Sequence, residues 1–158
     1  MDRPCDYESL TTLDISKKKL TELPSWVSEH KKLEILDCSD NNITQLDNLP
    51  PTLEVLDCTW NKITHLDNLP QTLEILDCLN NKITHLDNLP QSLETLQCLN
   101  NSIEQLDNLP STLKFLDCYK NKITQLNYLP PILEKLIPKD SSFNNGISLA
   151  DCLVIGLL

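Results

Sequence analysis

Five cysteines, Cys38, Cys58, Cys78, Cys98 and Cys118, stand twenty residues apart, while Cys5 and Cys152 fall outside that spacing. Thiols in such numbers could bind metal, form disulfides or act as nucleophiles. Zinc needs ligands that converge from paired spacings such as Cys-x-x-Cys, whereas a single repeated position points every thiol the same way. Disulfide scaffolds do not follow a structural period either, so the five read as reduced thiols packed as small hydrophobes. Cys5 and Cys152 could pair only if the terminal segments met. His65 and His85 also share one repeat position, but a Cys–His pair needs hydrogen-bond reach and these lie a repeat's width from the thiols. With Asp67 and Asp87 they could hold a metal, although repetition of a surface unit explains them more simply.

A third set is acidic. Asp14, Asp37, Asp57, Asp77 and Asp117 recur on the same period, with Gln97 in the remaining place. Calcium needs six to eight convergent oxygens, which a flat stripe does not supply. No Gly-rich phosphate loop or nucleophile elbow occurs, and two glycines in 158 residues leave little room for one. No catalytic residues, no cofactor and no metal are therefore expected, and no enzyme activity.

The element that positions these residues is a twenty-residue unit. It carries Leu at positions 1 and 4, Cys at 6, Asn at 9, Ile at 11, Leu at 14 and Asn-Leu-Pro at 16 to 18. Units begin at Leu33, Leu53, Leu73, Leu93 and Leu113. A first unit from Leu10 (Leu13, Ile15, Leu20, Leu23) runs three residues longer, and one from Leu133 and Leu136 breaks at Pro138. So short a unit cannot bury its own leucines, and consecutive units must stack on one shared core. Alternation around positions 4 and 6 predicts a strand of about three residues per coil. All coils run the same way, so the strands are expected to be parallel. Pro at position 18 disfavours helix just before it, which leaves an extended return path. The Asn41, Asn61, Asn81, Asn101, Asn121 column is expected to satisfy inward-facing backbone groups where the strand turns away.

The net charge of −10 argues against nucleic acid and anionic membrane as partners, since both are polyanions. Charges within Met1 to Glu8 do not suit an export signal, and the apolar run Leu149 to Leu158 is about half a membrane span and contains Asp151. These features predict an intracellular, cytoplasmic location.

The unit resembles the leucine-rich-repeat motif Leu-x-x-Leu-x-Leu-x-x-Asn-x-Leu, with Cys at the sixth place and Ile at the eleventh, over roughly residues 10 to 137. The Leu-Pro-x-x-Leu join and the short period look like bacterial secreted effectors and like repeat proteins of large DNA viruses of amoebae. The resemblance implies a leucine-rich-repeat solenoid, with short parallel β-strands on the concave face, an extended or 3-10 convex side and few helices. It also implies a protein-binding concave face. Many such effectors carry a ubiquitin-ligase domain after the repeats; about twenty residues remain here, too few for one.

With positions 4 and 6 buried, positions 3, 5 and 7 project from the sheet. Position 3 holds Thr12, Ile35, Val55, Ile75, Thr95 and Phe115; position 7 holds Ser16, Ser39, Thr59, Leu79, Leu99 and Tyr119, with Trp60 beside them. The Asp column between them would be relieved by a cationic partner, or it is screened by solvent, salt and Lys62, Lys82 and Lys122 and merely keeps the sheet hydrated. Ile75, Leu79, Leu99, Phe115 and Tyr119 form an apolar patch across three coils, of a kind often used for binding, or left by drift in a repeat array. The expected partner-binding residues are Val55, Asp57, Trp60, Ile75, Asp77, Leu79, Leu99, Phe115, Asp117 and Tyr119.

Three segments are expected: residues 1–9 as an N-terminal cap, 10–137 as the repeats, and 138–158 as a capping or degenerate tail. Ser25 to Lys32 suits a helical turn, and Ser148 followed by Leu149, Cys152, Leu153 and Leu157 suits a capping helix. The functional expectation is a monomeric, non-catalytic module that binds a protein with a basic or mixed basic and apolar surface. The alternative is a substrate-recruiting subunit of a separate enzyme such as a ubiquitin ligase. A repeat array with no selected ligand is the third reading.

Overall fold

The structure is a computed structural model that describes residue 3 and residues 9–124 and 129–137. The first capping segment apart from residues 3 and 9, the tail 138–158 with its expected helix, and Cys5 and Cys152 lie outside the described residues.

Among the described residues, seven three-residue strands form one parallel sheet in sequence order: β1 (Thr12–Asp14), β2 (Ile35–Asp37), β3 (Val55–Asp57), β4 (Ile75–Asp77), β5 (Thr95–Gln97), β6 (Phe115–Asp117) and β7 (Lys135–Ile137). The register follows the period without slippage: Leu13, Leu36, Leu56, Leu76, Leu96, Leu116 and Leu136 stand side by side. A 3-10 turn, Ser25–Val27, lies in the longer first coil. It buries Val27 completely, so the extra length of that coil is spent on one more apolar contact with the core.

Leucines at positions 1 and 4, cysteine at 6 and isoleucine at 11 are fully buried in coils two to five, where Leu33, Leu36, Cys38 and Ile43 begin one continuous apolar column. Three of the thiols also reach the next coil at short range. Sγ of Cys58, Cys78 and Cys98 donates to the carbonyl oxygens of Asp77, Gln97 and Asp117 at 3.3–3.4 Å. A small side chain is needed there, because it lies beneath the point where the chain bends away from the sheet.

The asparagine column does what its position predicts. Asn61 accepts the N–H of Ile43 through Oδ1, while Nδ2 donates to the carbonyls of Cys38, Cys58 and Thr59. Each asparagine therefore ties its own bend to that of the preceding coil. A second ladder lies at position 20, where Thr52, Thr72, Ser92 and Thr112 donate to the carbonyls of Leu33, Leu53, Leu73 and Leu93. Ile132 occupies that place in the sixth coil and is 48% exposed.

Two positions per coil adopt the left-handed conformation. At position 16, Asn48, Asn68, Asn88 and Asn108 have φ of 58–65°, which suits asparagine. At position 8, Asp40, Trp60, Asn80, Asn100 and Lys120 have φ of 53–56°, and the N–H of the first four reaches the position-7 carbonyl of the next coil. Trp60 is the unusual occupant, since a bulky side chain is disfavoured in this region.

Candidate interaction surface

Strand alternation turns positions 3 and 5 away from the core, and the chain continues past position 7 before bending. Three rows result. In the first, Ile35 is 41% exposed, Ile75 is 38% exposed and Val55 and Phe115 are half-buried. In the third, Leu79, Leu99 and Tyr119 are half-buried while Thr59 is buried. Trp60, 63% exposed, stands beside the third row.

The register brings Val55 beside Ile75 and Asp57 beside Asp77. It does not bring Ile75 against Phe115, because Thr95 lies between them. The unbroken apolar run is therefore Leu79, Leu99 and Tyr119, while Phe115 stands in the first row between Thr95 and Lys135. Ile35 was absent from the expected site, although its column already pointed to it.

The middle row has a structural duty that sequence reasoning missed. Oδ1 of Asp14, Asp37, Asp57, Asp77 and Asp117 accepts the N–H two residues on, at 2.8–3.3 Å. The signal was the side-chain turn that Asp makes with the backbone two residues on. Asp117 is only 8% exposed, so it supports its bend more than it meets solvent. Asp77 accepts a further bond from Gln97 Nε2 at 3.3 Å. Burial pushes the Asp77 carboxyl up to about 6; the Leu79 N–H opposes this, and the negative charges of Asp57 and Asp117 add to it. At Asp14, out in solvent, the Ser16 N–H dominates and holds the carboxyl below its usual range.

The lysines do not pair with this row. Lys62, Lys82 and Lys122 are exposed, and the ion pairs found among the described residues are Arg3–Glu29 at 3.4 Å and Lys114–Glu94 at 2.7 Å. Other lysines lie over aromatic rings: Lys135 Nζ is 5.3 Å from the Phe115 centroid and Lys120 Nζ 5.6 Å from that of Tyr119. The sheet face is thus divided. Coils two to four present carboxylates without lysine partners, and coil six presents aromatic rings already faced by cations.

The thiols and histidines are far apart in character. Burial, with negative neighbours adding to it, pushes Cys38, Cys58, Cys78 and Cys98 well above the ordinary thiol range, and Cys118 up to about 12. Thiols so held are poor nucleophiles. His65 and His85 are exposed, and Nδ1 of each meets the hydroxyl of the preceding threonine at 2.9 Å. Among the described residues no group of three or more His, Cys, Asp or Glu is placed to hold a metal ion, and no helix is long and apolar enough to cross a membrane.

The family description "Leucine Rich repeats (2 copies)" matches residues 8–51. Among solved structures, YopM from Yersinia enterocolitica WA-314 is 38% identical, with a TM-score of 0.75 over 82% of this chain and 28% of that one. A Shigella effector leucine-rich-repeat domain is 33% identical, with a TM-score of 0.72 over 80% of this chain and 57% of that one. The functional domain of InlJ from Listeria monocytogenes, which includes a cysteine ladder, is 36% identical, with a TM-score of 0.61 over 82% of this chain and 34% of that one. This chain therefore spans between about a quarter and three-fifths of the length of these structures. No curated protein matches. The repeated motif, its match to the family and the parallel solenoid together make the chain a leucine-rich-repeat protein.

Proposed function

We propose that the chain is a non-catalytic module that binds another protein on the open face of its sheet. The observation that carries this reading is the face itself. Exposed Ile35, Ile75 and Trp60 and the half-buried run Leu79, Leu99 and Tyr119 lie beside a row of carboxylates that no lysine pairs with. Exposed apolar groups in one contiguous area, aromatics among them, are what protein interfaces are built from. The carboxylates favour a partner that is basic among its apolar residues. Thiols raised by burial and histidines set in solvent support a binding role over a catalytic one. The same buried, reduced thiols suit a reducing compartment.

The test is a photo-crosslinker placed at Leu79 or at His85, used in cells of the native source. Cross-links from position 79, their loss in Phe115→Ala/Tyr119→Ala and their retention in Lys62→Ala are expected. Equal cross-linking from position 85 removes the sheet face as the site. A second reading draws on the Shigella likeness, in which the repeats are a domain of an effector. Here the same face recruits a substrate for a separate enzyme such as a ubiquitin ligase, and an active enzyme that co-purifies with the chain distinguishes it.

A further inference from the structure

We infer that the occupant of the sheet face is an α-helix of the partner, lying along the stack with its basic residues over Asp37, Asp57 and Asp77. The inference rests on the reading above and adds the partner's shape and chemistry.

Charge fixes the position. These three carboxylates stand in register on β2, β3 and β4. Each uses Oδ1 on its own bend, and Oδ2 of Asp37 and Asp57 has no hydrogen bond among the described residues. Neither ion pair of the described residues touches them. At the far end of the face, Asp117 is buried, Gln97 replaces the acid, and the rings of Phe115 and Tyr119 already face Lys135 and Lys120. A cation arriving from a partner meets least competition over coils two to four. Trp60, the best kind of surface for a cation to rest on, is exposed beside them.

Dimensions fix the shape. The two outer rows are four residues apart, at most about 13 Å at a strand rise of about 3.3 Å per residue. A helix about 10–12 Å across fills such a width with its flanks on both rows. Neighbouring coils are about 4.8 Å apart and helical turns about 5.4 Å apart, so a basic residue on each turn stays within about 1.2 Å of step from Asp37 to Asp77. Alternate residues of an extended strand are about 6.7 Å apart and drift by about 4 Å over the same two steps, close to a whole coil. The occupant thus carries one Lys or Arg per turn, flanked on both sides by apolar residues that meet Ile35, Val55 and Ile75 on one side and Leu79 and Trp60 on the other.

The probe is an alanine-based peptide of about 18 residues, with arginine at i, i+4 and i+7 and leucines on both sides of that line. Two controls share its composition: one with a central proline in place of an alanine, and one with the arginines moved to the opposite side of the helix. Fluorescence anisotropy on the full chain is expected to give at least tenfold tighter binding for the first peptide than for either control. Asp57→Asn/Asp77→Asn, which keeps the acceptors for the bends, is expected to weaken that binding at least fivefold. Asp67→Asn/Asp87→Asn, elsewhere on the coils, is expected to leave it unchanged. Equal binding by the proline peptide, or equal loss from both pairs of substitutions, overturns the inference. A native partner that cross-links to position 79 through a non-helical segment also overturns it while leaving the protein-binding reading intact. No cross-link from that position removes the protein-binding reading itself.

Discussion

Replacing Asp77 with asparagine should stabilise the protein at neutral pH and leave it unchanged in acid. The carboxyl is pushed from 3.8 up to about 6 in the fold, by burial first and then by Asp57 and Asp117. A group that binds its proton more tightly when folded makes the native state most stable below its unfolded value, and that stability is lost as pH rises through the folded one. The window is therefore pH 4 to 6, with stability falling as pH rises. At about 1.4 kcal/mol per pH unit the gap corresponds to about 3 kcal/mol for a fully desolvated group. Asp77 is only half-buried, so solvent screening reduces this to about 1 kcal/mol. Asparagine keeps an acceptor for the Leu79 N–H, and the Gln97 amide can turn to face it. Urea unfolding at pH 4, 5, 6 and 7.5 is the assay; other carboxylates titrate in both proteins and cancel in the difference. The expected result is a variant about 1 kcal/mol more stable at pH 7.5 and equal at pH 4. A difference that does not change with pH, or a variant weaker at pH 7.5 than at pH 4, refutes the reasoning.

Two further substitutions probe the framework. Asn61→Ala leaves the N–H of Ile43 and the carbonyls of Cys38, Cys58 and Thr59 without their amide. A loss of about 3–5 kcal/mol in urea unfolding is expected, and a loss under 1 kcal/mol would show that water replaces the side chain. Trp60→Asn gives the left-handed position a side chain that tolerates it, as at Asn80 and Asn100. It should raise stability by about 1 kcal/mol while weakening partner binding, and a variant that melts lower than the parent contradicts the idea that Trp60 is held at a cost.

Most of the fold was legible because one period repeats. The same leucine, cysteine, asparagine and proline positions recur, so errors in placing one coil are corrected by the next, and strand direction, register and the inward thiols followed from sequence. The role of Asn61 could be argued from donors and acceptors alone. The role of Asp57 could not be read from charge, because its main partner is the backbone N–H two residues on, and Asp-x-Thr was treated as surface when it was a turn. Asp117 went further astray: a position half-buried in neighbouring coils is buried there, between larger neighbours that the period does not specify. Thr95 separates Ile75 from Phe115 for the same reason. A repeat dictates the columns, whereas the site depends on which coil departs from them.

The direction in which the periodic cysteines face decides which side chains meet a partner. The direct measurement is thiol labelling of the folded protein carrying Cys5→Ser and Cys152→Ser, followed by intact mass. The five remaining thiols, fully buried at Cys38, Cys58, Cys78, Cys98 and Cys118, should stay unmodified until urea unfolds the chain and then react together. Five labels taken up under native conditions, with the far-ultraviolet spectrum unchanged, would mean that the sheet is turned the other way and that the carboxylate row lies inside.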